Sequence, residues 1–194
     1  MLPQLWGKGA PPARGRGSSS ASGLRRQATA LSENSVQNLR ETVDAEALEK
    51  AISILNSALL VHVMGQRRSH PVAGYIACGL TRSGKAARLM VGAAGMLRDE
   101  AETMRTGDAL GLISLHPYSA DAVETAALAV ANGVTVVALT DGPLSPLLAS
   151  ATVALDVRDA DLFAFRSLVA QMCLAQVLVL GVLTVGKSPE RAAG

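Results

Sequence analysis

Cysteine and histidine are scarce in this chain, and each scarcity narrows what it can be. Two cysteines in 194 residues, Cys78 and Cys173, form no C-x-x-C pair and cannot staple a small fold, so a reducing, cytoplasmic setting is expected. Three histidines (His62, His70, His116) without clustered cysteines argue against a structural zinc site, and no cofactor is expected. The first 31 residues hold Lys8, Arg14, Arg16, Arg25 and Arg26 and no acid, a net charge of +5. Everything after them nets −3, although the whole chain is +2. A mildly acidic body is a poor nucleic-acid surface, because affinity for phosphates rests on clustered Lys and Arg. The unbroken apolar stretch of a secretory signal is missing from the N-terminus as well.

What is present is apolar residue in quantity, 49% of the chain, enough to bury the core of one ordinary domain. Residues 1–31 stand apart. Rich in Pro, Gly, Ser and Arg and without apolar periodicity, they read as a disordered basic tail, and residues 187–194 as a flexible C-terminal one. The Arg- and Ser-rich bias is shared with organelle transit peptides but is common in tails generally.

Helical spacing begins after Ser32, read as an N-cap, with Val36, Leu39 and Val43 on one face. Asp44 is expected to cap a second helix striped by Leu48, Ala51, Ile52 and Leu55. Then the rhythm changes. Short apolar runs at Leu59–Met64, Ala109–Ser114, Val134–Leu139 and Val153–Val157, with a weaker one at Ala86–Val91, are apolar at successive positions, which suits strands covered on both faces. Helical patterns at Pro71–Arg82, about Met96–Met104 and Ala120–Asn132 separate them. Alternation of this kind predicts an α/β fold: a three-layer, doubly wound, five-stranded parallel sheet. Ser167–Gly186 carries no charge over 20 residues, but Gln171, Gln176 and Gly181 interrupt it. It reads as a core or interface helix, not a membrane anchor.

Sheets of this type bind ligands beyond the carboxyl ends of their strands, which directs attention to two loops. Gly65-Gln66-Arg67-Arg68-Ser69-His70-Pro71 follows the first strand and enters a helix. Backbone N–H groups, the Ser69 hydroxyl and the guanidiniums of Arg67 and Arg68 converge there as an anion site requires; the plainer alternative is a Ser69 helix cap with solvated arginines. Ser114-Leu115-His116-Pro117-Tyr118-Ser119 follows the third strand, with Ser119 as the helix cap and Ser114 and His116 within reach of a ligand. Thr140-Asp141-Gly142-Pro143 reads as a rigid turn, and Ser145-Pro146 as a cap. Gly79–Ala86 matches G-x-x-x-x-G-K, but Ala86 replaces the magnesium-binding hydroxyl and the segment ends a helix instead of opening one. Gly84 is read as the C-cap and Lys85 as lying near the negative end of the helix dipole.

GQRRSHPVA, ISLHPYSADAVETA and above all TDGPLSPLLASA, with its T-D-x-x-x-S-P-L pattern, resemble the sugar isomerase (SIS) domain. More narrowly they resemble the effector-binding domain of RpiR-type transcription regulators, over about residues 32–185. The resemblance implies a five-stranded sheet in flavodoxin-like order and an SIS domain over residues 32–186. It also implies a phosphosugar or similar small anion bound by Gly65, Arg67, Arg68, Ser69, Ser114, His116 and Ser119, and homo-oligomers, dimers or tetramers, built on SIS helices. Three positions depart from the pattern. Arg67 stands at the middle glycine of G-x-G-x-S, His116-Pro117 at the central Ser-Gly of S-x-S-G-x-T, and Thr152 at a customary Asp. Such regulators carry an N-terminal helix-turn-helix of which nothing is visible in residues 1–31. The expectation is therefore a sensing and dimerisation module whose DNA reader is missing or truncated. It would reach DNA only through a domain absent here, or by heterodimerising with a full-length relative. A non-enzyme is expected. The alternatives are an aldose–ketose phosphosugar isomerase, with His116, Glu124 or His70 as base, and a ligand-free scaffold.

Overall fold

The computed structural model describes residues 20–158, 161–162 and 165–185. Helix α1 spans Ala21–Thr42 and α2 Ala45–Ser57. Then β1 (Val61–Gly65), α3 (His70–Arg82), β2 (Ala87–Met90), α4 (Leu97–Glu102), β3 (Ala109–Ile113), α5 (Ala120–Ala131), β4 (Thr135–Thr140) and β5 (Val153–Asp156) alternate. A two-residue antiparallel pair, β6 (Asp161–Leu162) and β7 (Phe165–Arg166), precedes α6 (Val169–Val185). The five long strands are all parallel, in order β2-β1-β3-β4-β5. That is the doubly wound arrangement expected, with the direction of winding reversing between β1 and β3.

The unbroken apolar runs follow from this arrangement. Val61 and Val63, Ala109 and Ile113, Val137 and Leu139, Val153 and Leu155 face one layer, packed by α2, α3 and α6. Met64, Leu110, Leu112, Val136 and Ala138 face the other, with Met104 and the alanines of α5. Side chains alternate along a strand, so only a sheet covered on both faces needs every position apolar.

The first helix departs from the sequence reading. It starts at Ala21, not after Ser32, and Ser20 caps it by accepting from the Gly23 N–H at 3.2 Å. Ser32 lies inside the helix. Between Leu24 and Ala30 every side chain is exposed, so there is no apolar periodicity to read. Good helix formers (Leu24, Arg25, Arg26, Gln27, Ala28) carry the helix by propensity instead. The rest of the expected N-terminal tail, residues 1–19, and the expected C-terminal one, 187–194, lie outside the described residues.

Asp44 caps α2 as expected, accepting from the Ala47 N–H at 2.8 Å. After α3, Gly84 takes φ +87° and Lys85 turns back. Its ammonium donates to Asn56 O (2.7 Å) and Ala58 O, so it also serves the C-terminal carbonyls of α2. The uncharged segment forms α6, packed on α1, α2 and α3. No helix among the described residues is long and apolar enough to cross a membrane.

Candidate ligand site

Gly65 ends β1 where the chain must turn sharply. A Cβ there would sit 2.6 Å from the Ser69 carbonyl oxygen, well inside contact distance. The turn is a 3₁₀ segment, Arg67–Ser69, closed by the Ser69 N–H donating to Gln66 O at 3.0 Å. Arg67, at a position where the family pattern has glycine, adopts φ +51°. That left-handed conformation costs a non-glycine residue about 1–2 kcal/mol. Its side chain is exposed and borders a cleft of about 280 Å³ at the crest of the sheet. Gly65, Gln66, His70, Ser119 and Asp121 share that border, and Met90, Val91 and Leu97 form an apolar wall. Arg67 therefore borders the cleft without closing it.

The loops after β1 and β3 are joined across the reversal point by three hydrogen bonds. The Ser119 hydroxyl donates to Gln66 Oε1, Gln66 Nε2 donates to Asp121 Oδ2 at 2.8 Å, and Arg68 Nη2 makes a long contact of 3.5 Å to His116 O. The two bends thus meet across one crevice. Ser69 and Ser119 occupy the N-cap positions of α3 and α5, yet neither side chain makes the capping bond expected of it. Ser69 and Ser114 are only 7% and 6% exposed, and their hydroxyls have no hydrogen-bond partner among the described residues. Neither hydroxyl oxygen is sealed from solvent, so each can bond a group the protein does not itself supply. Neither serine borders the 280 Å³ cleft, nor do Arg68 and His116. Of the seven residues expected at the site, Gly65, Arg67 and Ser119 border it directly.

The third loop is a brace. Both oxygens of Asp141 accept from the His116 N–H (3.0 and 3.1 Å), and Oδ2 also accepts from Arg166 Nη1 at 2.9 Å. Inside the turn, the buried Thr140 hydroxyl donates to Ser145 Oγ at 2.6 Å, and Ser145 caps the next turn through the Leu147 N–H. Tyr118 is held as the neutral phenol, its pKa raised by burial and by the adjoining Asp141 carboxylate, and its ring meets His116 edge-on at 5.9 Å. So the T-D-x-x-x-S-P-L segment fixes the shape of the β3 loop. Thr152, at the customary Asp, hydrogen-bonds Val136 through both its N–H and its Oγ1 and so extends the pairing of β4 with β5.

Two residues that sequence reasoning left out border the cleft, Gln66 and Asp121. Their signal was positional: Gln66 directly follows the essential glycine, and Asp121 lies two residues past the α5 cap. Glu124, one candidate base, is exposed and ion-paired with Arg98. His62 lies at the opposite end of its strand.

The SIS domain family model matches residues 54–181. The sugar isomerase domain of an RpiR transcription factor from Sphaerobacter thermophilus superposes with a TM-score of 0.80 at 24% identity, over 87% of this chain and 93% of that one. NanR from Vibrio vulnificus, solved with ManNAc-6P, gives 0.74 at 23% identity over 84% of this chain and 62% of that one. Phosphoheptose isomerase GmhA from Neisseria gonorrhoeae gives 0.73 at 17% identity over 87% and 100%. At such identities these likenesses establish the fold. No curated protein matches the chain.

Proposed function

The chain belongs to the SIS domain family, and from that membership we propose that it is the phosphosugar-sensing module of an RpiR-type transcription regulator. The observation that carries this reading is the cleft at the reversal point, bordered by Gln66, Arg67, His70 and Ser119, with the unpartnered hydroxyls of Ser69 and Ser114 on the same two loops and the N-termini of α3 and α5 uncapped beside it. Helix N-termini and a guanidinium stabilise a phosphate, while serine hydroxyls and the Gln66 amide suit the sugar. ManNAc-6P in the Vibrio protein is a ligand of the same chemistry.

A sensor is favoured over an isomerase by the state of the carboxylates. Moving a proton beside a carbonyl needs an uncommitted base, whereas Asp121 accepts from Gln66 and Glu124 from Arg98. His70 borders the cleft and is the residue an isomerase would have to use. A sensor reports by binding two assembly states unequally. The assembly proposed is a homo-oligomer through α6, where Val169, Val177, Leu180 and Val185 stay exposed on a helix without a charged residue. A full-length relative would be a second partner for the same helix.

Thermal denaturation with glucose 6-phosphate, glucose and inorganic phosphate tests the binding claim. At a hundredfold excess over Kd the phosphosugar is expected to raise Tm by about 5–10 °C, and Arg67→Ala to abolish the rise. No shift at millimolar phosphosugar overturns the reading, and turnover of a phosphosugar that His70→Ala abolishes replaces it with the isomerase.

A further inference from the structure

Asp141 is tied from two sides. Both its oxygens accept from the His116 N–H, at 3.0 and 3.1 Å, and Oδ2 accepts from Arg166 Nη1 at 2.9 Å. This ion pair is largely covered, with side chains 27% and 13% exposed. Arg166 belongs to β7, where it pairs with Asp161 of β6, and β6 lies against α1. Three residues after Arg166 the chain enters α6, which packs along α1. The base of this connection is held by backbone. Asp156 O, at the end of β5, accepts from Thr42 Oγ1 of α1 at 3.1 Å, and the Val157 N–H donates to Thr140 O at 2.8 Å. The part made by two side chains alone is the Asp141–Arg166 pair, and that is where the connection can open.

We propose that the Asp141–Arg166 ion pair is a latch coupling the loop after β3 to the layer formed by α1 and α6. The inference rests on the phosphosugar reading above and adds to it the bond through which an occupied crevice is reported. The His116 peptide and Arg166 share one carboxylate. A ligand that shifts the loop carrying Ser114, His116 and Ser119 moves that N–H, and Asp141 follows it only by drawing Arg166 along or by releasing it. Either response reaches β7 and then the first turn of α6. A partly buried guanidinium–carboxylate pair suits this role, because it is directional and either keeps its geometry or breaks. Among the described residues none of α1 or α6 borders the cleft, so a change in those helices on ligand binding has to be relayed. Latched and released forms that bind the ligand unequally are what such coupling requires.

Hydrogen exchange read by mass spectrometry on the full chain tests the latch, with glucose 6-phosphate and ManNAc-6P as probes and calorimetry reporting binding separately. A bound sugar is expected to change exchange in α1 and the first turn of α6 by about fivefold or more, relative to residues 103–108 at the far rim. Arg166→Met, and independently Asp141→Asn in case the first perturbs α6, are expected to reduce that change to within about twofold while sugar still binds. Arg166→Lys keeps the charge for a pair made through one nitrogen and is expected to restore most of the response. A merely structural role would raise exchange with and without sugar alike. The latch is overturned, with the phosphosugar reading left standing, if sugar binds and the helices do not respond, or if the response survives both substitutions. Loss of binding in both variants also overturns it, since the pair would then belong to the site itself. If neither sugar binds the unaltered protein, the latch and the phosphosugar reading fall together.

Discussion

At the rim where the strands begin, polar groups close on one another. His62, 1% exposed, receives the Arg88 Nε–H on Nδ1 at 3.0 Å and donates from Nε2 to Asp108 at 3.0 Å. Because a guanidinium can only donate, this pairing fixes the neutral tautomer. Arg88 then reaches Thr103 Oγ1 (2.7 Å) and Glu100 O, and Asp108 Oδ2 also takes the Arg105 N–H. At the rim where the strands end, Ser69 and Ser114 are as nearly buried but have no partner, Arg67 stands in a left-handed conformation, and the helix caps are unmade. One rim satisfies its polar groups internally and contributes stability. The other leaves hydroxyls open to solvent in the place where strand order reverses. The contrast, more than any single residue, points to the end of the sheet at which the ligand is proposed to bind.

The comparison breaks if substitutions at the two rims have the same consequences. The largest effect is expected from Gly65→Val, whose side chain would overlap the Ser69 carbonyl. It should cost about 3 kcal/mol in chemical denaturation and eliminate ligand binding, since overpacking against backbone is poorly relieved. Next comes Asp108→Ala, which strips His62 and the Arg105 N–H of their acceptor. A loss of about 2–3 kcal/mol in stability is expected, with ligand affinity unchanged in the folded protein. Ser69→Ala and Ser114→Ala sharpen the contrast from the other side. With no hydrogen bond to lose, each should shift stability by less than about 1 kcal/mol, and each should weaken phosphosugar binding roughly tenfold by calorimetry.

The smallest effect is on pH dependence. Burial, opposed by the Asp108 hydrogen bond and assisted by the Arg88 charge, lowers the His62 pKa below its ordinary 6.5. The unfolded chain therefore takes up a proton first as pH falls. Stability is complete above pH 6.5 and declines below it, by at most about 1.4 kcal/mol per pH unit, until the folded protein also protonates. Tm measured from pH 8 to pH 5 should fall less steeply in His62→Gln. An unchanged slope would remove His62 as the cause.

Much of this was legible because the constraint was local. Consecutive apolar residues at Val136–Leu139, and a run at Val61–Met64 broken only by His62, pointed to a doubly covered sheet. Gly65 and Pro71 bracketed the first loop, and T-D-x-x-x-S-P-L marked the third. Other features left no local trace. The start of α1 was missed because its exposed turns have no apolar stripe. Asp141 reads as a turn residue from its neighbours, but its partners His116 and Arg166 are 25 positions away in each direction. The capping roles expected of Ser69 and Ser119 were sound by propensity and were overridden: Ser119 turns to Gln66 across the crevice, and Ser69 is left without a partner.

By itself the sequence determined the alternation of strand and helix, the parallel sheet and the loops at its crest, because apolar period, glycine and proline act within a few residues. Which hydroxyls stay uncommitted, which carboxylates are paired, and that Gln66 bonds Ser119 and Asp121 were decided only when loops more than 50 residues apart met. A hydrogen-bond partner is a matter of distance in space, and the order of the chain does not record it.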